Sequence, residues 1–89
     1  MANTFSEKVR MSMGNKALRV YEITSDGSTT TVNASDLGMN YIEYAVLTPV
    51  SAMSSAADYP ILSGTTTGTY VTMVAQDSAN INCIEAWGW

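Results

Sequence analysis

Turn-forming residues recur at short, regular intervals along this chain. Clusters of Gly, Asn, Asp and Ser lie at 14–15, 26–27, 35–38, 51–58, 64–69 and 76–80. The segments between them are mostly apolar or β-branched, and none carries apolar residues at helical spacing over several turns. Such spacing is typical of a sandwich or barrel and not of βαβ units. The sequence therefore predicts a single all-β domain over residues 1–89, a small antiparallel β-sandwich or barrel of about six to eight short strands.

The N-terminal segment predicts a basic β-hairpin over residues 1–24. Gly14 and Asn15 suit a tight turn between two strands, because Gly tolerates positive φ. Alternation in the first strand places two cations on one face and the apolar residues on the other, namely Phe5, Val9, Met11 and Met13. In the second strand one face carries Ala17, Arg19, Tyr21 and Ile23.

Three further segments give structural predictions. Residues 41–47 are apolar on both faces apart from Glu43, which is typical of a central strand or of a strand that a partner covers. The run 60–62 is a candidate edge strand, because its Pro donates no hydrogen bond to a ladder. Residues 34–38 predict at most one helical turn, capped by Ser35 and ended by Gly38.

The residue types that most catalytic and metal sites need are missing. The chain has no His and one Cys, Cys83, so neither a His-based catalytic triad nor a zinc site can be built from it. No Asp-x-Asp-x-Asp calcium loop occurs. We expect no enzymatic activity, no cofactor and no metal, and we expect Cys83 to be buried and inert.

Charged residues are scarce and unevenly distributed. They make up 13% of the chain, against roughly 25% in average soluble domains. This low fraction indicates either a surface covered by other copies or a partner, or a surface of uncharged Ser and Thr. The net charge of −4 opposes nucleic-acid binding. All four cations lie within the first twenty residues, at Lys8, Arg10, Lys16 and Arg19.

Two explanations of this cation clustering stay open. One is chance in a chain with few charges. The other is a basic segment that docks on an acidic partner surface, since complementary charge sets register and encounter rate. The second makes the four cations the predicted partner interface.

The C-terminal indoles are candidate anchors. In a strand, Trp87 and Trp89 share a face with Cys83 and Glu85. They either fill the core and cover the sheet end, or anchor an interface, or form a sugar-stacking platform. If the indoles anchor an interface, we predict a subunit contact that is formed by four aromatic residues: Tyr41, Tyr44, Trp87 and Trp89.

No membrane segment is predicted. The N-terminus has no apolar run behind a basic start, as a secretory signal has. The most apolar stretch, 41–53, is too short to span a bilayer. We expect a soluble protein made in a cytoplasm.

Several stretches resemble small structural proteins of tailed bacteriophages. They are the start MANTF, then VYEIT at 20–24, DG at 26–27 and ASDLGMNYIE at 34–43. The resemblance implies a virion protein made in the host cytoplasm, most plausibly a capsid decoration (cement) protein that binds the major capsid protein on the head surface. It also implies a compact β-structure and a homo-oligomer, with a trimer favoured. The alternatives are a tail or head–tail connector component and a carbohydrate-binding module.

Overall fold

Six β-strands and one short helix form the part of the chain that the computed structural model describes, residues 3–51 and 60–89. The strands are β1 (Thr4–Met13), β2 (Lys16–Thr24), β3 (Thr31–Asn33), β4 (Ile42–Pro49), β5 (Tyr70–Thr72) and β6 (Ile81–Gly88). A 3-10 helix, η1 (Ala34–Leu37), separates β3 from β4. One antiparallel sheet has the order β1-β2-β6-β4, and β3 pairs with β5 in a second. The predicted all-β class with one helical turn is confirmed.

The predicted hairpin joins β1 to β2 through Gly14 and Asn15, and Gly14 has φ of 64°. The faces of β1 differ from the prediction, because the register shifts between Glu7 and Val9. An extra residue in one strand reverses the alternation that follows it. Phe5 therefore packs towards the core, whereas Val9 and the two Met residues after it lie on the opposite face. The prediction that these four apolar residues share a face was wrong.

Strand β4 is an edge strand, so the predicted central position was wrong, and the alternative that a partner covers the strand stays a prediction. The central position belongs to β6, which pairs with β2 on one side and β4 on the other. The two apolar faces of β4 have different surroundings. Ile42 and Ala45 are buried in the core, whereas Tyr44 and Val46 are exposed on the other face.

The shorter predictions have mixed outcomes. The segment 60–62 contributes one isolated bridge, between Leu62 and Met73, instead of a strand. The residue that caps η1 is Asn33 and not Ser35, and the Asp36 carboxylate accepts the Asn33 N–H at 3.1 Å. Gly38 ends the helix with φ of 70°, as predicted. The predicted turn at 51–58 lies, apart from its first residue, outside the described residues.

The core lies between the two sheets. Alternate residues of β2, β4 and β6 point to one side of the large sheet, where β3, β5 and η1 cover them. The apolar residues with no exposed surface are Ile23, Val32, Leu37, Ile42, Val71, Ile84 and Ala86. The small sheet has only three residues per strand, so it forms a layer on one side of the large sheet and not a second full sheet.

Asp26 organises the loop between β2 and β3. Its carboxylate accepts three hydrogen bonds. The Thr29 hydroxyl donates one, the Thr29 N–H donates one at 2.8 Å, and the Ser28 N–H donates one at 2.9 Å. The hydrogen bond from the Thr29 hydroxyl, followed by the two backbone bonds, lowers the pKa of Asp26 from 3.8 to about 2. The ionised carboxylate is therefore the form that holds the loop.

We expect Asp26→Asn to weaken the pH dependence of stability in acid. Because the folded state lowers the pKa of Asp26, its carboxylate stabilises the fold above the unfolded pKa. That stabilisation is lost as pH falls towards about 2. Urea unfolding between about pH 4 and about pH 2 should show a smaller loss of stability in the variant. Equal losses in both proteins would contradict this assignment.

Candidate docking surface

The four-stranded sheet has a second face, which points away from the core and which we call the open face. Residues directly paired across antiparallel strands share a face. One cross-strand row of the open face consists of Val9, Val20, Glu85 and Val46. The next row consists of Met11, Leu18, Trp87 and Tyr44. Seven of these eight side chains are apolar or aromatic.

The apolar side chains of the open face are accessible to a partner. Met11 is 48% exposed and Tyr44 is 57% exposed, and Val9 and Val46 are exposed as well. Scattered exposed apolar residues are normal, but a contiguous apolar surface marks an interaction site. The exposed rows lie towards the β1–β2 turn. The opposite end of the face is more polar, with Glu22 and Thr48 beside β6.

Glu85 is the one charged residue in these two rows. It is exposed and lies between Val20 on β2 and Val46 on β4. Its neighbours along the same face of β6 are Cys83 and Trp87. Within residues 3–51 and 60–89, Glu85 has no ion pair and no side-chain hydrogen bond. The two apolar rows therefore carry one carboxylate without a counter-charge, in the row that borders the polar end of the face.

Tyr41 and Trp89 form a stacked pair at the end of the sheet. Their ring centroids are 4.7 Å apart with an interplanar angle of 5°. Each residue donates its backbone N–H to the other's carbonyl, at 3.0 and 3.1 Å. The Lys16 ammonium lies 4.8 Å from the centre of the Trp89 ring and donates to Glu43 at 2.5 Å.

The structure thus divides the four predicted interface aromatics into two pairs. Tyr44 and Trp87 are neighbours on the open face, and Tyr41 stacks on Trp89 beside it. Trp87 does not fill the core, because Ala86 and Gly88 take the core side of β6. That the four residues form a subunit contact stays a prediction.

The cations of β1 are paired with carboxylates. The Lys8 ammonium lies 3.7 Å from Glu22, and Arg10 Nε donates to Glu7 at 2.6 Å. The hydrogen bond that Arg10 donates to Glu7, together with the charge of that carboxylate, raises the pKa of the Arg10 guanidinium. Both pairs are exposed, so their contribution to stability is small.

Arg19 departs most from the predicted partner interface. It is only 8% exposed, on the core side of β2, and its guanidinium donates to the carbonyls of Met11 and Leu18, both at 3.1 Å. It therefore offers a partner no exposed charge. The four cations do not form one basic surface, because alternation and the β1 bulge distribute them over different faces. Docking of the other three on a partner stays a prediction.

Cys83 is half-buried on the open face, and not fully buried as predicted. Burial raises the pKa of its thiol, and the carboxylates of Glu85 and Glu22 raise it further. The thiol is therefore the favoured form at neutral pH, and the thiolate is the form that reacts.

No group that could hold a metal occurs among the described residues. A depression of about 230 Å³ lies beside β4 and has an apolar lining of Ala45, Val46, Leu47, Pro60, Ile61 and Leu62. It contains no titratable or nucleophilic side chain. The apolar lining of this depression is suited to contact with another apolar surface.

Comparison of the chain with protein-family models, curated proteins and solved structures found no match. In the described part of the chain no helix has the length and apolarity needed to span a membrane.

Proposed function

We propose that this chain is a non-enzymatic structural protein of a tailed-bacteriophage virion. In this proposal it is a capsid decoration protein that binds the assembled head shell through its open face. The observation that carries the proposal is the row of exposed Met11, Tyr44 and half-buried Trp87, continued by the Val residues of the next row. The sequence resemblance to phage head proteins supports the proposal that the partner is the head shell.

Burial of the open face would contribute favourably to docking on a lattice. Burial of one side chain the size of Val, Leu or Met contributes about 1.5–3 kcal/mol. Trp and Tyr are enriched among the residues that contribute most to interfaces. A shell also presents many identical sites, so an oligomeric decoration unit gains affinity from simultaneous contacts. The predicted trimer would use this gain.

Purified heads of the phage whose genome encodes the chain provide the test. We expect saturable binding to assembled shells and none to dissociated capsid subunits. The variant Met11→Ser/Tyr44→Ser/Val46→Ser should bind roughly 100-fold more weakly. Each side chain is already partly buried in the free protein, so each lost contact costs about 1 kcal/mol, and the three together cost about 3 kcal/mol. Cosedimentation of labelled protein with heads measures the affinity.

A matched control uses exposed apolar residues elsewhere on the molecule. Val50 and Tyr70 are 51% and 42% exposed, and both lie outside the two rows and the depression beside β4. Replacement of both by Ser removes exposed apolar surface elsewhere, and we expect shell binding to persist. Equal binding to shells and free subunits, or equal losses in the triple variant and this double variant, would contradict the proposal. Binding to tails alone would favour the tail alternative.

A further inference from the structure

The Glu85 carboxylate restricts which surface can cover the open face. Glu85 is flanked by Val20 and Val46 in its row, so a partner that covers these Val residues also removes water from Glu85. A buried charge without a counter-charge is strongly unfavourable. The partner must therefore supply a group that stabilises this carboxylate, and a Lys or Arg side chain does so most strongly.

In the described part of a second copy, no Lys or Arg side chain is free for this purpose. The chain contains four Lys and Arg residues, all within the described part. Three are paired with carboxylates, and Arg19 is buried against backbone carbonyls. Two copies packed symmetrically by their open faces would bring two Glu85 carboxylates into one apolar contact, where the like charges repel each other.

We propose that the open face binds a different protein, whose docking surface is apolar and carries one Lys or Arg opposite Glu85. Glu85 then has two roles, since it selects this partner and keeps the open face from closing on a second copy. A charge that would be desolvated without a counter-charge disfavours the wrong partner in this way. The inference rests on the proposed use of the open face for docking. In this inference the partner surface is positively charged opposite Glu85. The clustering of cations in the sequence had favoured an acidic partner surface instead.

The first test is self-association of the isolated protein. Light scattering across a tenfold dilution should show no open-face dimer of the wild type. The Glu85→Leu variant should form this dimer, with a dissociation constant at least tenfold lower than that of the wild type. Glu7→Leu is the matched control, because Glu7 pairs with Tyr21 and so lies on the other side of the sheet. A wild-type dimer that the Met11/Tyr44/Val46 triple variant abolishes would overturn the inference. A Glu85→Leu variant that associates no more than the control would also overturn it.

The second test measures the charge preference directly. The probes are two synthetic β-hairpin peptides with alternating apolar residues, identical except for a central Lys or Glu. Calorimetric titration should give at least tenfold tighter binding of the Lys peptide to the wild type. Glu85→Gln should lose this preference, and Glu7→Gln, which changes the net charge equally, should keep it.

The outcomes separate this inference from the proposed function. A Lys preference that depends on Glu85, together with no binding to heads, would keep the inference and remove the virion assignment. Binding to heads without any effect of Glu85→Gln would keep the assignment and overturn the inference. A preference lost equally in both Gln variants would also overturn it.

Discussion

Replacement of Gly88 by Ala is expected to give the largest loss of stability of any single methyl addition considered for this chain. A Cβ at Gly88 would lie 1.9 Å from the carbonyl oxygen of Tyr41 and 2.9 Å from its carbonyl carbon. These are backbone atoms, held by the two hydrogen bonds between Tyr41 and Trp89. They cannot rotate away, so the start of β4 must separate from β6. We expect a cost of about 3 kcal/mol or more, out of a typical total of about 5–15 kcal/mol.

Urea denaturation measures this cost as a fall in the midpoint at an unchanged slope. The matched control is Gly14→Asn in the hairpin turn. A Cβ at Gly14 meets nothing within 4 Å, and Asn tolerates its φ of 64°. The control should unfold within about 1 kcal/mol of the wild type. A Gly88→Ala midpoint equal to that of the control would show that β4 and β6 are not in contact at this point.

Ile84→Ala is expected to have the second large effect. Ile84 has no exposed surface, lies on the central strand β6, and is paired with Tyr21 on β2 and Leu47 on β4. Truncation leaves a cavity between the sheets that neighbours on three strands cannot fill. We expect a loss of about 2–5 kcal/mol in the free energy of unfolding.

The same substitution at Ile61 is the control, because Ile61 is 49% exposed. Its truncation should change stability by less than about 0.5 kcal/mol. Thermal unfolding followed by circular dichroism compares the two variants. Similar melting temperatures would mean that the core does not lie between the two sheets.

The open face and the proposed function follow from one imbalance in this fold. A four-stranded sheet is covered on one side by two strands of three residues and one helical turn. On its other side no strand or helix of the described residues covers the rows around Trp87 and Glu85. The proposed function assigns these rows to a partner.

Local chemistry was enough to predict part of this structure. Turn spacing and strand alternation predicted the all-β class, and Gly14 and Gly38 predicted a turn and a helix end, because both positions need positive φ. The set of residues that share each face of β2 also followed from alternation, since side chains point to opposite faces with a period of two. Each of these features depends only on a residue and its near neighbours in the chain.

Tertiary structure decided the rest. Only long-range pairing places β6 between β2 and β4, and so gives Trp87 and Glu85 neighbours on both sides within the open face. The bulge in β1 reverses the faces of all residues after Glu7, and nothing in the local pattern marks it. The pairing of Lys16 with Glu43 joins residues 27 positions apart. Alternation specifies that a strand has two faces, but which face is buried, and against what, depends on contacts with distant strands that the local pattern does not encode.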